Sequence, residues 1–360
     1  MIPVTKPYLP QREKFDELIN QVFERNWLTN NGPLVRSLED KLSSYLNVNH
    51  LLYVNNGTIA LQIAIKALNL KGEIITTPFS YVATTSSIVW EGCTAVFADI
   101  DSETLNIDPS KIEELITDKT SAILATHCFG NACDIQAIDT IAKRHNLKVI
   151  YDAAHCFGTE YKDSSIFNYG DISTCSLHAT KLMHSVEGGF VVSKDKNLNK
   201  QIEYMRNFGH DGPEKFHGIG INGKNSEFHA AMGLCVLDEI DRILKNRKAL
   251  SENYDFLLDG LNLRKPKIQE GCKFNFAYYA VLFENESIAL RVKEALEENE
   301  IIPRRYFYPS LSKLSYVKKV DTPISDKYSA CILCLPIYFD LTFEEQKRIS
   351  GIIKKVVEDE

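Results

Sequence analysis

KVIYDAAHCFGTEYKDSSIFNYGDISTCSLHATKLMHSVEGGFVVS, residues 148–193, is the stretch of this chain that decides its fold class. It contains three short apolar runs, at residues 148–152, 172–177 and 189–193, and polar side chains follow the first two. Short apolar runs bounded by polar residues predict buried β-strands. The second and third runs lie close together in the chain and therefore predict a hairpin-like pair.

Strands and helices alternate on the N-terminal side of this stretch. Strands are predicted at residues 51–55, 73–77, 95–98 and 121–126. Helical patterns occupy residues 58–68, 81–90, 109–115 and 135–145. This alternation is typical of an α/β domain built on a mostly parallel sheet.

The pattern changes towards the C-terminus. Residues 226–254 predict one long helix, and a smaller α+β set follows, with a strand at 277–283, an apolar segment at 330–335 and helices at 288–299 and 342–357. We therefore predict a large domain over residues 1–240, which includes the N-terminal segment, and a small domain over residues 241–360.

Composition limits the function classes. The 360 residues are 44% apolar and 25% charged, which is ordinary for a soluble globular protein. The net charge of −7 disfavours a nucleic-acid partner, because polyphosphate is repelled overall. No apolar run reaches membrane-spanning length, and Met1 leads into Pro3 without a signal pattern. We expect a cytoplasmic protein that does not associate with membranes.

The nine cysteines do not predict a disulfide framework, since their number is odd and their spacing irregular. Cys331 and Cys334 form a CxxC inside an apolar run, which favours a buried strand over redox or metal chemistry. Other cysteines lie near His127 and His155, but their spacing matches no zinc-ligand pattern. We predict no metal site.

Candidate functional residues follow three of the predicted strands, and open α/β sheets bind ligands at the carboxyl ends of their strands. The turn at residues 55–58 (NNGT) suits a phosphate, because Gly57 lets backbone amides approach an anion at a helix N-terminus. An ordinary helix cap would use the same residues. Asp152 ends a strand and could pair with a protonated pyridine nitrogen or cap the next turn.

Lys181 follows the strand that ends near Ser176, in a segment of small and polar residues. A lysine shielded from water there is a competent amine nucleophile, whereas a solvated surface lysine is the alternative interpretation. Ser176 can donate to a phosphate oxygen, and Tyr81 supplies an aromatic ring. A phosphate cradle, a stacking ring, Asp152 and Lys181 together are the set that pyridoxal phosphate requires.

These motifs resemble the DegT/DnrJ/EryC1/StrS sugar aminotransferases, which are fold-type I pyridoxal-phosphate enzymes. The resemblance covers nearly the whole chain. It comprises WLTNNGP at 27–33, NGT at 56–58, PFSYVAT at 78–84, DAAH at 152–155, SLHATK at 176–181, EGG at 187–189 and GINGK at 220–224.

The resemblance implies a role for each matching residue. Lys181 would hold the cofactor as a Schiff base and move the proton, and Asp152 would keep the pyridine nitrogen protonated. Tyr81 would stack on the ring, and His155 would lie near the ring hydroxyl, where many relatives have glutamine. The residues expected to bind the cofactor phosphate are Gly57, Thr58 and Ser176, together with Asn222 from the neighbouring subunit of a homodimer that shares its active sites.

Within this family, residues 2–10, 207–216 and 220–232 are most similar to transaminases that make dTDP-4-amino-4,6-dideoxyglucose, the viosamine type. The resemblance implies L-glutamate as donor and a product used in O-antigen (lipopolysaccharide) or other surface-glycan biosynthesis. Diphosphate and donor carboxylates are anionic, so basic residues are the candidate substrate ligands. They are Lys6, His178, His210, Arg304 and Arg305, with a solvated pair as the alternative for the two arginines.

Three residues depart from the family pattern: Leu177 replaces a frequent phenylalanine, Lys224 an arginine and Asn225 an apolar residue. Amination at C3 of a 3-keto sugar nucleotide stays open as an alternative. Relatives with histidine at the lysine position are dehydratases, and a non-catalytic relative would be expected to lose Lys181 or Asp152. A nicotinamide oxidoreductase is disfavoured because no GxGxxG follows the first strand.

Overall fold

The computed structural model describes residues 1–358. Its helices are α1 (Arg12–Arg25), α2 (Pro33–Leu46), α3 (Gly57–Ala67), α4 (Val82–Trp90), α5 (Ile135–His145), α6 (Lys196–Met205), α7 (Glu227–Leu237), α8 (Ile240–Leu257), α9 (Glu286–Glu298), α10 (Pro323–Cys331) and α11 (Phe343–Glu358). Its strands are β1 (Ile2–Pro3), β2 (Leu51–Val54), β3 (Glu73–Thr76), β4 (Thr94–Phe97), β5 (Thr120–Thr126), β6 (Lys148–Asp152), β7 (Glu160–Tyr161), β8 (Ser164–Ser165), β9 (Ile172–Ser176), β10 (Gly189–Ser193), β11 (Cys272–Lys273), β12 (Tyr279–Leu282), β13 (Ile301–Ile302) and β14 (Ile332–Leu335).

A seven-stranded sheet forms the centre of the molecule, in the order β2-β10-β9-β6-β5-β3-β4. Only β10 runs antiparallel to its neighbours, and the other pairs are parallel. The α/β class and the hairpin-like pairing of β9 with β10 are therefore confirmed. Because β2, β6 and β9 share one direction, their carboxyl ends meet at the same edge of the sheet.

Helices cover both faces of this sheet, which explains why its strands read as continuous apolar runs. Along β6, Val149 and Tyr151 pack with the buried residues of α2, α5 and α7, whereas Ile150 packs with those of α3, α4 and α6. Successive side chains of a strand point to opposite faces, so one apolar strand serves two cores. The packing on both faces thus holds the sheet in place, and residues at the ends of its strands have fixed positions.

Two predictions about helices fail. The single helix expected over residues 226–254 is two helices, α7 and α8, which break at Asp238 and Glu239. Nearly the whole circumference of α7 is buried beside the sheet, while α8 is amphipathic and faces the C-terminal part. The stretch at 109–115 forms two short 3₁₀ turns. Helices α1, α2, α6 and α10 were not predicted.

The C-terminal part packs α8, α9 and α11 against the antiparallel pair β12 and β14. The N-terminal β1 joins this part, because Ile2 pairs in parallel with Ile301 of β13. The proposed boundary at residue 240 falls at the start of α8 and stays a prediction.

The cysteines are free thiols, and all are buried except Cys272, which is half-buried. Both cysteines of the CxxC are buried, as predicted, but only Cys334 lies in a strand, β14, because Cys331 is the last residue of α10. Over residues 1–358, none of the helices has the length and apolar character required to traverse a lipid bilayer.

Candidate active site

A cavity of about 770 Å³ opens at the sheet edge where β2, β6 and β9 end. It contains side chains from all three strand ends and from the C-terminal part, including Tyr278 and Phe307. Eight of the residues singled out from the sequence line it: Gly57, Thr58, Tyr81, Asp152, His155, Ser176, His178 and Lys181.

The turn between β2 and α3 is shaped for an anion. Asn56 caps α3 by accepting a hydrogen bond from the Ile59 amide at 2.8 Å, so the first amides of the helix lie at the cavity. A Cβ at Gly57 would lie 2.9 Å from the Ser176 Cβ, so only glycine allows this approach. A helix N-terminus beside a serine hydroxyl is the arrangement that phosphate requires.

Glycine at position 189 completes the same junction. Gly189 pairs with Val54 of β2 and with Ser176 of β9, and it therefore joins the ends of the two parallel strands. An added Cβ would lie 2.7 Å from the Asn56 carbonyl carbon. A steric requirement thus explains the last glycine of the Glu-Gly-Gly motif at residues 187–189.

Asp152 ends β6 and is 5% exposed. Its Oδ2 accepts a hydrogen bond from the Thr84 hydroxyl at 2.7 Å, and its Oδ1 accepts one from the Ala154 amide at 3.2 Å. Burial raises the pKa of this carboxyl, and the Thr84 bond, the Ala154 bond and the charge of Lys181 oppose the rise. Such a carboxylate is a partner for a cation placed in the cavity, and a protonated pyridine nitrogen is one.

Lys181 lies in the connection between β9 and β10, residues 177–188, which we call the lysine loop. Backbone hydrogen bonds from Leu177 to Gly188 (2.8 Å) and from Ala179 to Val186 (2.7 Å) close this loop. The Lys181 Nζ donates to the Tyr278 hydroxyl at 3.2 Å. Tyr278 was not among the predicted site residues; it is the second residue of the apolar run at 277–283, 97 residues beyond Lys181 in the chain.

The N-terminal segment passes over the lysine loop. The Thr5 hydroxyl donates to the Thr180 carbonyl at 3.3 Å, and the His184 Nε2 donates to the Tyr8 carbonyl at 2.8 Å. The Val186 amide donates to the other nitrogen of His184, which fixes this tautomer. The first ten residues therefore help to hold the lysine in place.

His155 is a neutral donor with a defined tautomer. The Phe129 amide donates to its Nδ1 at 3.2 Å, so Nε2 carries the proton. Burial and the charge of Lys181 hold the pKa of His155 well below its usual range. The ring is stacked on Phe307 with 5.7 Å between centroids.

Further polar residues line the cavity. The Thr180 amide donates to the Nδ1 of His178, whose Nε2 lies 3.5 Å from the Glu187 carboxylate. Asn225, the departure from the family pattern, donates to the Tyr53 hydroxyl at 3.0 Å and to the Glu187 carbonyl at 2.8 Å. Its amide thus ties the loop before α7 to the lysine loop, which an apolar residue could not do.

Five predicted residues do not line this cavity. Lys6 is exposed and lies 3.9 Å from Asp340. Arg304 is exposed, while Arg305 binds the Glu286 carboxylate at 2.6 Å and the Ala330 carbonyl at 2.7 Å.

The other two, His210 and Asn222, belong to the long loop before α7. His210 lines a second cavity of about 720 Å³ together with Tyr204 and Lys224. Asn222 is exposed and accepts a hydrogen bond from Lys224 at 2.9 Å. Burial lowers the pKa of Lys224, with a smaller contribution from Arg206. Their roles stay predictions.

Known proteins resemble this chain over its whole length. A transaminase of Shigella dysenteriae named for dTDP-4-amino-4,6-dideoxy-D-glucose is 41% identical over 98% of both chains. The GDP-perosamine synthase of Vibrio cholerae is 31% identical, also over 98% of both. The crystal structure of DesI in the presence of its TDP-sugar product superposes with a TM-score of 0.94 at 29% identity, covering 99% of this chain and 93% of DesI.

A protein-family profile matches residues 10–354 of the chain, and this range includes the cavity, the lysine loop and most of the C-terminal part. This match confirms the resemblance that the motifs indicate. The chain belongs to the DegT/DnrJ/EryC1/StrS aminotransferase family.

Proposed function

We propose that the chain transfers the amino group of L-glutamate to C4 of dTDP-4-dehydro-6-deoxy-D-glucose, giving dTDP-4-amino-4,6-dideoxy-D-glucose and 2-oxoglutarate, with pyridoxal phosphate as cofactor. The observation that carries this proposal is one cavity that contains Lys181, the buried Asp152 and the Gly57 turn. The name of the 41% identical relative supports the sugar and its nucleotide. The GDP-perosamine synthase is more distant, at 31% identity.

The residues fit the cofactor because each of its groups has a partner in the cavity. Gly57, Thr58 and Ser176 would bind the phosphate, Tyr81 would cover the ring and Asp152 would pair with the ring nitrogen. When bound, pyridoxal phosphate supplies a carbonyl group that exchanges amino groups and a ring that accepts electrons.

Lys181 would have two tasks: its Nζ would hold the cofactor covalently and, once the amino group of the substrate has displaced it from that bond, would move a proton at the substrate carbon. Tyr278 orients Nζ through the 3.2 Å hydrogen bond. His155 would offer its Nε2 proton to the ring hydroxyl, as the amide of a glutamine would. The buried cluster of Phe307, Phe129 and Phe79 beside His155 keeps water from this side of the cavity.

We also propose that the long loop serves a second copy of the chain. Asn222 is exposed and does not line the cavity of its own chain, which supports the idea that it binds phosphate in a neighbouring subunit. Apolar side chains on and beside this loop are exposed in the single chain, as expected for a contact between copies. They are Phe208, Phe216, Ile219 and Ile221.

The first test is the visible absorption spectrum of the protein loaded with pyridoxal phosphate. We expect a yellow band that L-glutamate bleaches and that the 4-keto sugar nucleotide restores. A band that glutamate leaves unchanged would contradict the proposed donor. Restoration by a 3-keto sugar nucleotide alone would replace the C4 assignment with amination at C3. A band that neither glutamate nor any other amino acid bleaches would favour a non-catalytic protein.

Replacing His155 by glutamine is expected to keep cofactor affinity within about threefold, whereas His155→Leu lowers it by about tenfold. Glutamine retains an N–H donor, and leucine retains volume without one. The measurement is the dissociation constant of pyridoxal phosphate, from quenching of protein fluorescence. Equal losses in the two variants would show that His155 acts through packing and not as a donor.

A further inference from the structure

Three buried hydroxyl groups form a continuous line to Asp152. The Thr126 Oγ1 lies 3.0 Å from the Ser80 Oγ, which lies 2.7 Å from the Thr84 Oγ1. Thr84 in turn donates to the Asp152 Oδ2 at 2.7 Å. The three hydroxyl residues are at most 2% exposed. They come from separate places, the end of β5, the turn before α4 and the first turn of α4.

The direction of the hydrogen bonds follows from the chemistry of the groups. An ionised carboxylate only accepts, so the single hydroxyl proton of Thr84 points to Asp152. Thr84 then accepts the proton of Ser80, and Ser80 accepts that of Thr126. In this direction every hydroxyl proton has a protein acceptor.

The reverse direction is less favourable. A carboxyl protonated on Oδ2 would donate to Thr84, and the chain would run outwards to Thr126. A carboxyl protonated on Oδ1 would keep Thr84 as donor but would place its proton on the oxygen that accepts the Ala154 N–H. Among residues 1–358 the Thr126 hydroxyl has a hydrogen bond to Ser80 only, so its proton would then have no protein acceptor. Thr126 lines the cavity, so only a molecule in the cavity could accept this proton, and the bond within the protein would be lost. The line of hydroxyls therefore favours the charged form of the carboxyl.

We propose that Thr126, Ser80 and Thr84 are positioning residues that form a directed hydroxyl chain and hold Asp152 as an acceptor-only anion beneath the cavity. The consequence for catalysis rests on the proposed function, in which Asp152 must be charged to pair with the cofactor ring. The hydroxyl chain itself is a property of the protein without cofactor.

The other groups around Asp152 are not sufficient by themselves to keep its carboxyl charged. Burial raises the pKa of Asp152, and the Thr84 hydrogen bond is the largest opposing effect, ahead of the Ala154 amide and Lys181. Three thiols interact electrostatically with this carboxyl, those of Cys128, Cys156 and Cys175, and burial raises their pKa values, so they stay neutral. His155 is neutral as well. Lys181 supplies the one positive charge that acts on Asp152 among the described residues.

The test uses Thr84→Val, which keeps the shape and removes the donor, beside Thr84→Ser, which keeps the donor. The protonated carboxyl of Asp152 is followed by infrared absorption in the apoprotein as a function of pH, and Asp152→Asn assigns the band. We expect the midpoint to rise by at least about one pH unit in Thr84→Val, because hydrogen bonds to charged groups are the strong ones. Thr84→Ser should stay close to the wild type.

The same variants are then compared for pyridoxal phosphate affinity across pH. Affinity depends on charged Asp152, so it should be lost as pH falls, and in Thr84→Val the loss should begin about one pH unit higher than in the wild type. An unchanged infrared midpoint in Thr84→Val, or an equal rise in Thr84→Ser, would overturn the hydroxyl chain. A shifted midpoint in a protein that binds no cofactor at any pH would keep the chain and contradict the proposed function.

Ser80→Ala tests the next link and carries the experiment if Thr84→Val does not fold, as judged by its thermal unfolding. We expect a smaller rise of the midpoint in the same direction, since Thr84 keeps its own proton but loses the donor that polarises it. A midpoint equal to that of the wild type in Ser80→Ala would show that the effect ends at Thr84 and would contradict a chain.

Discussion

Replacing Lys181 by alanine is expected to lower transamination by at least about 10⁴-fold, the largest loss that any single change in the cavity should cause. The substitution removes both covalent attachment of the cofactor and the proton carrier, and a positioned proton-transfer group alone contributes about 10²–10⁴-fold. The phosphate turn and Asp152 are left in place. The variant should therefore still bind pyridoxal phosphate, but without a covalent bond.

The measurement combines turnover with chemical trapping. Borohydride reduction of the loaded wild type, followed by proteolysis and mass spectrometry, should place the added mass on the peptide that contains Lys181. Lys162→Ala is the matched control, because Lys162 is exposed and lies over the ring of Tyr161, away from the cavity. It should keep full turnover and full labelling at Lys181. A label on another lysine would refute the assignment.

The sequence predicted those site residues that lie at the ends of strands. Apolar runs that stop at Asp152 and near Ser176 indicate parallel strands, and parallel strands of one sheet bring their carboxyl ends to one edge. Gly57 could be predicted together with these residues because the turn after β2 lies at the same edge of the sheet. The apolar runs and the rule that parallel strands end at one edge of a sheet were enough to predict this part of the cavity.

Other site residues could not be predicted because their contacts depend on lateral packing. Tyr278 reaches Lys181 from the C-terminal part, and the Thr84 donor approaches Asp152 from a helix 68 residues earlier. Hydrophobic periodicity tells which face of α4 is buried but not which carboxylate the buried hydroxyl meets. Asn225 was noticed only as an exception, and its contacts with Tyr53 and Glu187 supply the reason.

The misread helix has a related cause. Residues 226–254 carry no proline and no strong break signal, so the pattern continues through Asp238 and Glu239. The break separates α7, which is buried in the core beside the sheet, from α8, whose first turn still belongs to that core and whose later turns pack on the C-terminal part. In contrast, the spacing of Leu34, Leu38 and Leu42 at every fourth residue is a helical signal for α2 that the sequence itself contains.

Replacing Asp152 by asparagine is expected to weaken pyridoxal phosphate binding by about 10²–10⁴-fold, since breaking a buried charge pair costs about 3–5 kcal/mol. The pKa of this carboxyl is raised by burial, so the wild type should lose affinity as pH falls through that raised value and keep it above. Asparagine does not titrate, so the variant should bind weakly at every pH and show no such acid limb.

A cofactor analogue with carbon in place of the ring nitrogen separates this charge pair from mere packing. The analogue cannot carry the pyridinium proton, so wild type and Asp152→Asn should bind it with similar affinity, and their difference for the natural cofactor should disappear. If the variant loses the analogue as strongly as it loses pyridoxal phosphate, Asp152 shapes the cavity and does not pair with the ring. The presence of a charged carboxylate in this buried place would then need another explanation. The hydrogen bond from Thr84 stabilises the anion, although removing the charge from water is costly.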